Sequence, residues 1–194
     1  MAATKDRILD TTAELFRRYG YTGTGLKQIV TEANAPFGSI YHFFPGGKQH
    51  LGAEVIHRSG RMYQELVEAV FDAAPDVVTG TSDVFTGAAE VLRATDYVDA
   101  CPIETVALEV ASTNEPLRQA TAEVFESWIA SATGRLAEAG IEHGAARELA
   151  IAMIAALEGA FVLSRAMRST EPLLAAGANA TAAVKRSIDG LMGS

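Results

Sequence analysis

Cysteine is almost missing from this chain: Cys101 is the single one in 194 residues, so no internal disulfide can form. There is one tryptophan, Trp128, and the six prolines are too scattered to make a low-complexity linker. No alternation of apolar and polar residues marks a strand, and no self-similarity marks a repeat protein. The longest strongly apolar uncharged run, Leu149 to Leu157, falls well short of the roughly 18 residues that a membrane-spanning helix requires. The start, Met1-Ala-Ala-Thr-Lys-Asp-Arg, lacks the apolar stretch of a secretory signal, so a cytoplasmic protein without a membrane partner is expected. Positive charge is scarce as well. Sixteen Lys and Arg face 24 Asp and Glu, a net charge of −8 that on its own argues against a nucleic-acid partner.

The charge is unevenly distributed. Residues 1 to 58 carry seven Lys or Arg (Lys5, Arg7, Arg17, Arg18, Lys27, Lys48, Arg58) against five acids, whereas 59 to 194 carry nine against nineteen. Any surface that meets a polyanion therefore belongs to the first third. At 48% hydrophobic the chain can bury a substantial core, and a mean hydropathy of +0.13 is high for a soluble monomer. Extra apolar surface for a second subunit or an internal ligand is the reading we adopt.

Apolar residues recur at helical spacing at Ile8, Leu9, Leu15, Phe16 and Tyr19, with Asp6 near the start and Gly20 past the end, predicting a first helix. Thr24 is the expected N-cap of a short second helix that turns Leu26, Ile29 and Val30 inward and ends near Asn34. Pro36 suits the first turn of a third helix, Phe37 to Phe44. Two short helices joined by a tight turn read as helix-turn-helix. Pro45-Gly46-Gly47 ends that segment, and a long fourth helix runs from about 48 to 71, with Gly52 and Gly60 marking close packing or a bend. A loop is expected over 72–80, and further helices at about 82–95, 103–112, 115–139, 145–168 and 173–192. The fold class is all-α. Residues 1–47 form the helix-turn-helix domain, and 48–194 form a helical domain for ligand binding and dimerisation.

The third helix presents Phe37, Ser39, Tyr41 and His42 beside the inward Ile40 and Phe44, a polar and aromatic face suited to a major groove. Ile8-Leu-Asp, Leu15-Phe16, Gly20-Tyr-Thr-Gly-Thr-Gly-Leu26, Ile29, Gly38-Ser-Ile-Tyr-His-Phe-Phe44 and Lys48 together resemble the DNA-binding domain of the TetR family of bacterial transcriptional regulators. Cys101-Pro-Ile, Ala107-Leu-Glu, Val124-Phe-Glu-Ser-Trp128 and Ala156-Leu-Glu-Gly159 resemble the ligand-binding half of its LmrA/YxaF-type subgroup.

The resemblance implies a DNA-contact set of Thr24, Lys27, Phe37, Gly38, Ser39, Tyr41, His42 and Lys48. In it, Lys27 reaches a base edge or phosphate, Ser39 and Tyr41 touch bases or backbone, and His42 and Lys48 hold phosphates. Two positions depart from the family pattern: Phe37, where a basic or polar residue is usual, and Phe43, where a second His is usual. The third helix has no Lys or Arg, so affinity must come from cations outside it.

Tyr63, Val67, Phe85, Leu92, Ile103, Phe125, Trp128 and Met153 are the candidate lining of an apolar effector site, each equally readable as plain core. Cys101 has no His or acid beside it in a catalytic order and reads as a buried small apolar residue. His50, Glu54 and His57 share one helical face, which reads as solvated in preference to metal-binding. The 145–168 helix is apolar nearly all round and is interrupted by Glu158, for which Arg165 is a candidate partner.

The sequence thus predicts a homodimeric repressor without catalytic residues, metal or cofactor. A small lipophilic or aromatic effector would release it from a palindromic double-stranded DNA operator. The rival readings are an all-α enzyme with a site around Cys101 or Glu158, and a DNA-binding dimer with no effector.

Overall fold

The computed structural model describes residues 2–98 and 101–192. It forms helices α1 (Ala2–Tyr19), α2 (Leu26–Glu32), α3 (Gly38–Phe43), α4 (Gly47–Ala73), α5 (Val77–Ala94), α6 (Pro102–Val110), α7 (Glu115–Glu138), α8 (His143–Met167) and α9 (Glu171–Met192). No strand occurs among the described residues.

Two boundaries differ from expectation, each for a local reason. The loop expected over 72–80 is shorter, only 74–76. Asp76 caps α5 by accepting a hydrogen bond from the Thr79 N–H at 2.8 Å, so the helix begins at Val77, and Gly80, read as loop, instead lies against the Phe71 ring. Thr24 is not the N-cap of α2. That position is Gly25, and the buried Thr24 hydroxyl donates to the Gly20 carbonyl at 2.7 Å. Asn34 adopts the left-handed conformation that ends α2, at φ 46°.

The chain divides into two compact units. The first joins Met1–Met62 to Ala100–Val124. Its buried side chains include Ile8, Phe16, Ile29, Ile40, Phe44 and Leu51 from the N-terminal helices and Ile103, Val106 and Leu117 from α6 and α7. Helix α1 packs against α2, α3 and α6. Gly52 and Gly60 mark close packing: a Cβ on Gly52 would stand 3.2 Å from both Leu117 and Tyr21, and one on Gly60 would stand 2.5 Å from Val124.

The second unit joins Tyr63–Asp99 to Phe125–Ser194. Phe85, Leu136, Met153 and Val184 centre one apolar cluster, and Leu92, Ala160 and Leu173 another. Helix α9 packs on both α5 and α8, closely enough that a Cβ on Gly177 would lie 2.6 Å from the Phe85 Cβ. Within this unit α4 and α7 run parallel, bridged by Ser127 to Gln64, Ser131 to Glu68, and Arg135 to Asp72, each at 2.7 Å.

Among the described residues, α8 alone is long and apolar enough to cross a membrane by length and composition, and only 22% of its most apolar stretch is buried. Glu158 cuts the uninterrupted apolar run without making the helix as a whole polar. Ile151, Val162, Leu163 and Met167 of α8 and Leu174 of α9 remain exposed.

Candidate nucleic-acid interface

The helix-turn-helix is held from outside its own two helices. Arg7 of α1 reaches the end of α2, where its Nε donates to the Ala33 carbonyl at 3.2 Å and its guanidinium to the Asn34 carbonyl at 3.4 Å, filling acceptors that a helix end leaves open. Phe44 and Ile40 anchor α3 from below with no exposure. Above them Phe37 and Tyr41 stand half in solvent, at 49% and 53% exposure, with ring centroids 6.1 Å apart, while Gly38 and His42 are exposed and Ser39 is half-buried. Of the residues expected to contact DNA, Phe37, Gly38, Ser39, Tyr41 and His42 therefore lie on one short helix and its entry. Thr24 is the exception: its side chain is buried and its hydroxyl is engaged, so it shapes the turn instead of offering a contact.

The cations divide into bound and available. Arg58 bridges α4 to α1 through Asp6 at 2.7 Å and Asp10 at 2.9 Å, Lys5 pairs with Glu54 at 2.7 Å, and Arg18 pairs with Glu14 at 2.6 Å. The exposed Lys27 makes no ion pair among the described residues. Lys48, in the first turn of α4, sets its ammonium 4.2 Å from the centre of the Tyr21 ring. Burial lowers the Lys48 pKa, with the nearby Glu109 carboxylate acting in the opposite sense, and burial raises that of the Tyr21 phenol.

In the sequence Tyr21 and Glu109 stand only within the motifs that carry the family resemblance and Arg7 only among the cations of the first third, with no role for any of the three. Glu109 of α6 accepts hydrogen bonds from the Tyr21 N–H at 3.0 Å and the Thr22 N–H at 2.7 Å, a contact across more than eighty residues that no local pattern announces. Gly20 was legible only as a helix stop.

The candidate effector residues divide between the two units. Ile103 belongs to the first unit, and Phe85, Leu92 and Met153 are core residues of the second. Tyr63 and Val67 on α4, with Phe125 and Trp128 on α7, are half-buried in the second unit on the two helices that the Gln64–Ser127 bridge joins. The Phe125 and Trp128 rings meet edge to face at 5.6 Å.

Cys101 is the buried N-cap residue of α6. His50 pairs with Glu54 at 3.3 Å and His57 with Glu123 at 3.1 Å, so the acid between the two histidines is shared with Lys5, and among the described residues no group of three His, Cys, Asp or Glu is placed to hold a metal ion.

Residues 8–55 match the model of the bacterial regulatory proteins of the TetR family, and residues 77–179 match that of the LmrA/YxaF-like transcriptional regulator C-terminal domain. The chain belongs to the TetR family. Across 88% of its length it is 35% identical to the HTH-type transcriptional regulator YxaF of Bacillus subtilis, covering 89% of that protein, and 30% identical to LmrA of the same organism, covering 90%. The crystal structure of the regulatory protein TetR from Rhodobacter sphaeroides superimposes with a TM-score of 0.81 at 20% identity, over 92% of this chain and 97% of that one. This TetR-family chain is a DNA-binding transcriptional regulator and not an enzyme. Its all-α architecture, with an N-terminal helix-turn-helix followed by a helical C-terminal part, is that of the TetR fold.

Proposed function

We propose that the protein is a cytoplasmic repressor that binds a palindromic operator as a homodimer and is released by a small lipophilic or aromatic effector. The observation that carries the DNA reading is the α3 face, where Phe37, Tyr41 and His42 are exposed and Ser39 half-buried while Ile40 and Phe44 hold the helix from behind, with the cations Lys27 and Lys48 on the helices before and after it in the chain. On this reading Tyr41 and Ser39 meet bases or backbone, Phe37 meets thymine methyls, and Lys27, His42 and Lys48 hold phosphates. Helix α8 supports the dimer: a monomer would leave Ile151, Val162, Leu163 and Met167 in water. Two-fold symmetry then calls for half-sites about one helical turn apart, roughly 34 to 36 Å, or a small multiple of that.

The effector reading rests on Tyr63, Val67, Phe125 and Trp128, which combine apolar surface with incomplete burial. The tight packing of Phe85, Leu92 and Met153 favours a second reading, a DNA-binding dimer with no effector. Release would need a coupling of about 1 to 3 kcal/mol between the two sites.

Genomic footprinting with the purified protein tests the first reading, with two protected half-sites expected. A thermal-shift screen of aromatic compounds separates it from the second, because a ligand at 100 times its Kd adds about 2.7 kcal/mol of stability. A screen with no shift, beside a clear footprint, would leave the protein as a regulator without an effector of this class.

A further inference from the structure

Within the turn between α1 and α2 the Thr24 N–H and hydroxyl bond the Tyr21 and Gly20 carbonyls, while two other amides take a partner from outside it. After Gly20, in the left-handed region at φ 71°, the N–H groups of Tyr21 and Thr22 point away from α1 and both find Glu109, one on each carboxylate oxygen, at 3.0 and 2.7 Å. Consecutive amides of this kind form a concave anion site, here filled by a side chain of the same protein. Gly20 is what lets the carboxylate in, because a Cβ there would overlap it. Glu109 is itself fixed, since its helix is held by the buried Ile103, Val106 and Val110.

From the turn the contacts continue to α4. The Tyr21 ring stands edge-on to Phe16 at 5.6 Å, abuts Gly52, and lies beneath the Lys48 ammonium. We propose that Glu109 is a positioning residue for DNA binding: it ties down the α1–α2 turn from α6, so that Tyr21 stays under Lys48 and holds that ammonium where a phosphate meets it. Glu109 falls within the stretch matched by the C-terminal family model, yet the structure makes it part of the DNA-binding unit. The inference rests on the phosphate-holding role proposed for Lys48.

The sign of the effect separates positioning from simple charge. Removing an acid beside a phosphate-binding cation strengthens DNA binding if only electrostatics matter. Positioning requires the reverse. The full-length protein is titrated with a mixed-sequence DNA duplex over a range of salt concentrations, as wild type, Lys48→Ala, Glu109→Ala, Glu109→Gln, Tyr21→Leu and the Lys48→Ala/Glu109→Ala double variant. Lys48→Ala should lower the salt slope by about one unit. Glu109→Ala should weaken binding about fivefold, the scale of a lost cation–π placement, and lower the slope in the same way. In the double variant the Glu109 substitution should add almost nothing. Glu109→Gln, of the same shape and able to satisfy the turn only in part, should fall between, and Tyr21→Leu should reproduce the slope change with the Glu109 contacts intact.

Tighter binding by Glu109→Ala or Glu109→Gln overturns the proposal, as do unchanged slopes or additive effects with Lys48. If Glu109→Ala does not fold, Glu109→Gln and Tyr21→Leu carry the same decision. An unchanged Lys48→Ala would instead remove the phosphate role on which the inference stands.

Discussion

The Lys48 ammonium lies 4.2 Å above the centre of the Tyr21 ring, which holds a phosphate-binding candidate over an aromatic platform instead of leaving it to sweep through solvent. Replacing Lys48 with Ala should weaken binding to all DNA sequences about equally, because a phosphate contact carries no base information. Competition titrations of operator against mixed-sequence DNA check this, and a changed sequence preference would contradict it.

Tyr41 should behave differently. It is half exposed on α3, with its ring beside that of Phe37, so Tyr41→Ala should leave thermal stability within about 0.5 kcal/mol of wild type. Operator affinity should fall about 5- to 150-fold, the scale of about 1 to 3 kcal/mol for a lost base contact. Operator affinity equal to wild type, measured by gel shift, would remove α3 as the reading helix.

Exposed α8 residues offer a cleaner dimer test than residues facing the core. Leu157 packs against both apolar clusters of its own unit, so charging it would unfold the chain. Leu163 is 54% exposed, and Ile151 lies on the same helix at 44%. The Ile151→Asp/Leu163→Asp variant should sediment as a folded monomer, with its helical circular dichroism retained and operator binding lost. A dimer that persists would place the interface elsewhere.

Gly177→Ala exchanges a gain of about 1 kcal/mol in helix propensity for a collision with the Phe85 Cβ, an atom attached to the backbone that cannot swing aside. The collision costs about 1 to 3 kcal/mol and should win, with a net destabilisation of up to about 2 kcal/mol read from a urea midpoint.

Asp76 links stability to acid. Its carboxylate accepts the Thr79 N–H, which lowers its pKa from the ordinary 3.8. A carboxyl whose folded pKa lies below its unfolded one stabilises at pH values above the unfolded value, and that contribution is lost as the pH falls through the folded one. The contribution should therefore be whole at neutral pH, begin to fall near pH 3.8, and be gone only below the folded value. Asp76→Asn retains a capping oxygen without the charge, so its melting temperature should vary less with pH across that window.

Legibility followed range. Asn34 at the end of α2, the inward Ile40 and Phe44 of α3, and the starts of α6 and α9 beside Pro102 and Pro172 could be read because each is a local event. Asp76 is readable by the same rule, but Gly80 four residues on carries the local signature of a loop while it is a helical glycine accommodating Phe71. Thr24 shows the limit of a local rule: a threonine before a helix is a good cap only if its side chain is free, and here the Gly20 carbonyl takes it. The Glu109 contacts with Tyr21 and Thr22 were beyond reach, since an acid on an amphipathic helix carries no sign of which amides it meets. Phe85 and Met153 were recognised as apolar, yet their spacing could not distinguish cavity wall from packed core.

The first unit is assembled from two stretches of chain with residues 63–99 between them. During synthesis at about 5 to 20 residues per second, the N-terminal helices leave the ribosome seconds before Glu109 and Val124 do. Through that interval the amides of Tyr21 and Thr22 have only water, and the Gly60 face of α4 has no Val124 to cover it. A nascent chain that has made its whole recognition helix is therefore not yet a finished DNA reader, and messages truncated between codons 62 and 100 should yield products that proteases clear before they can occupy an operator.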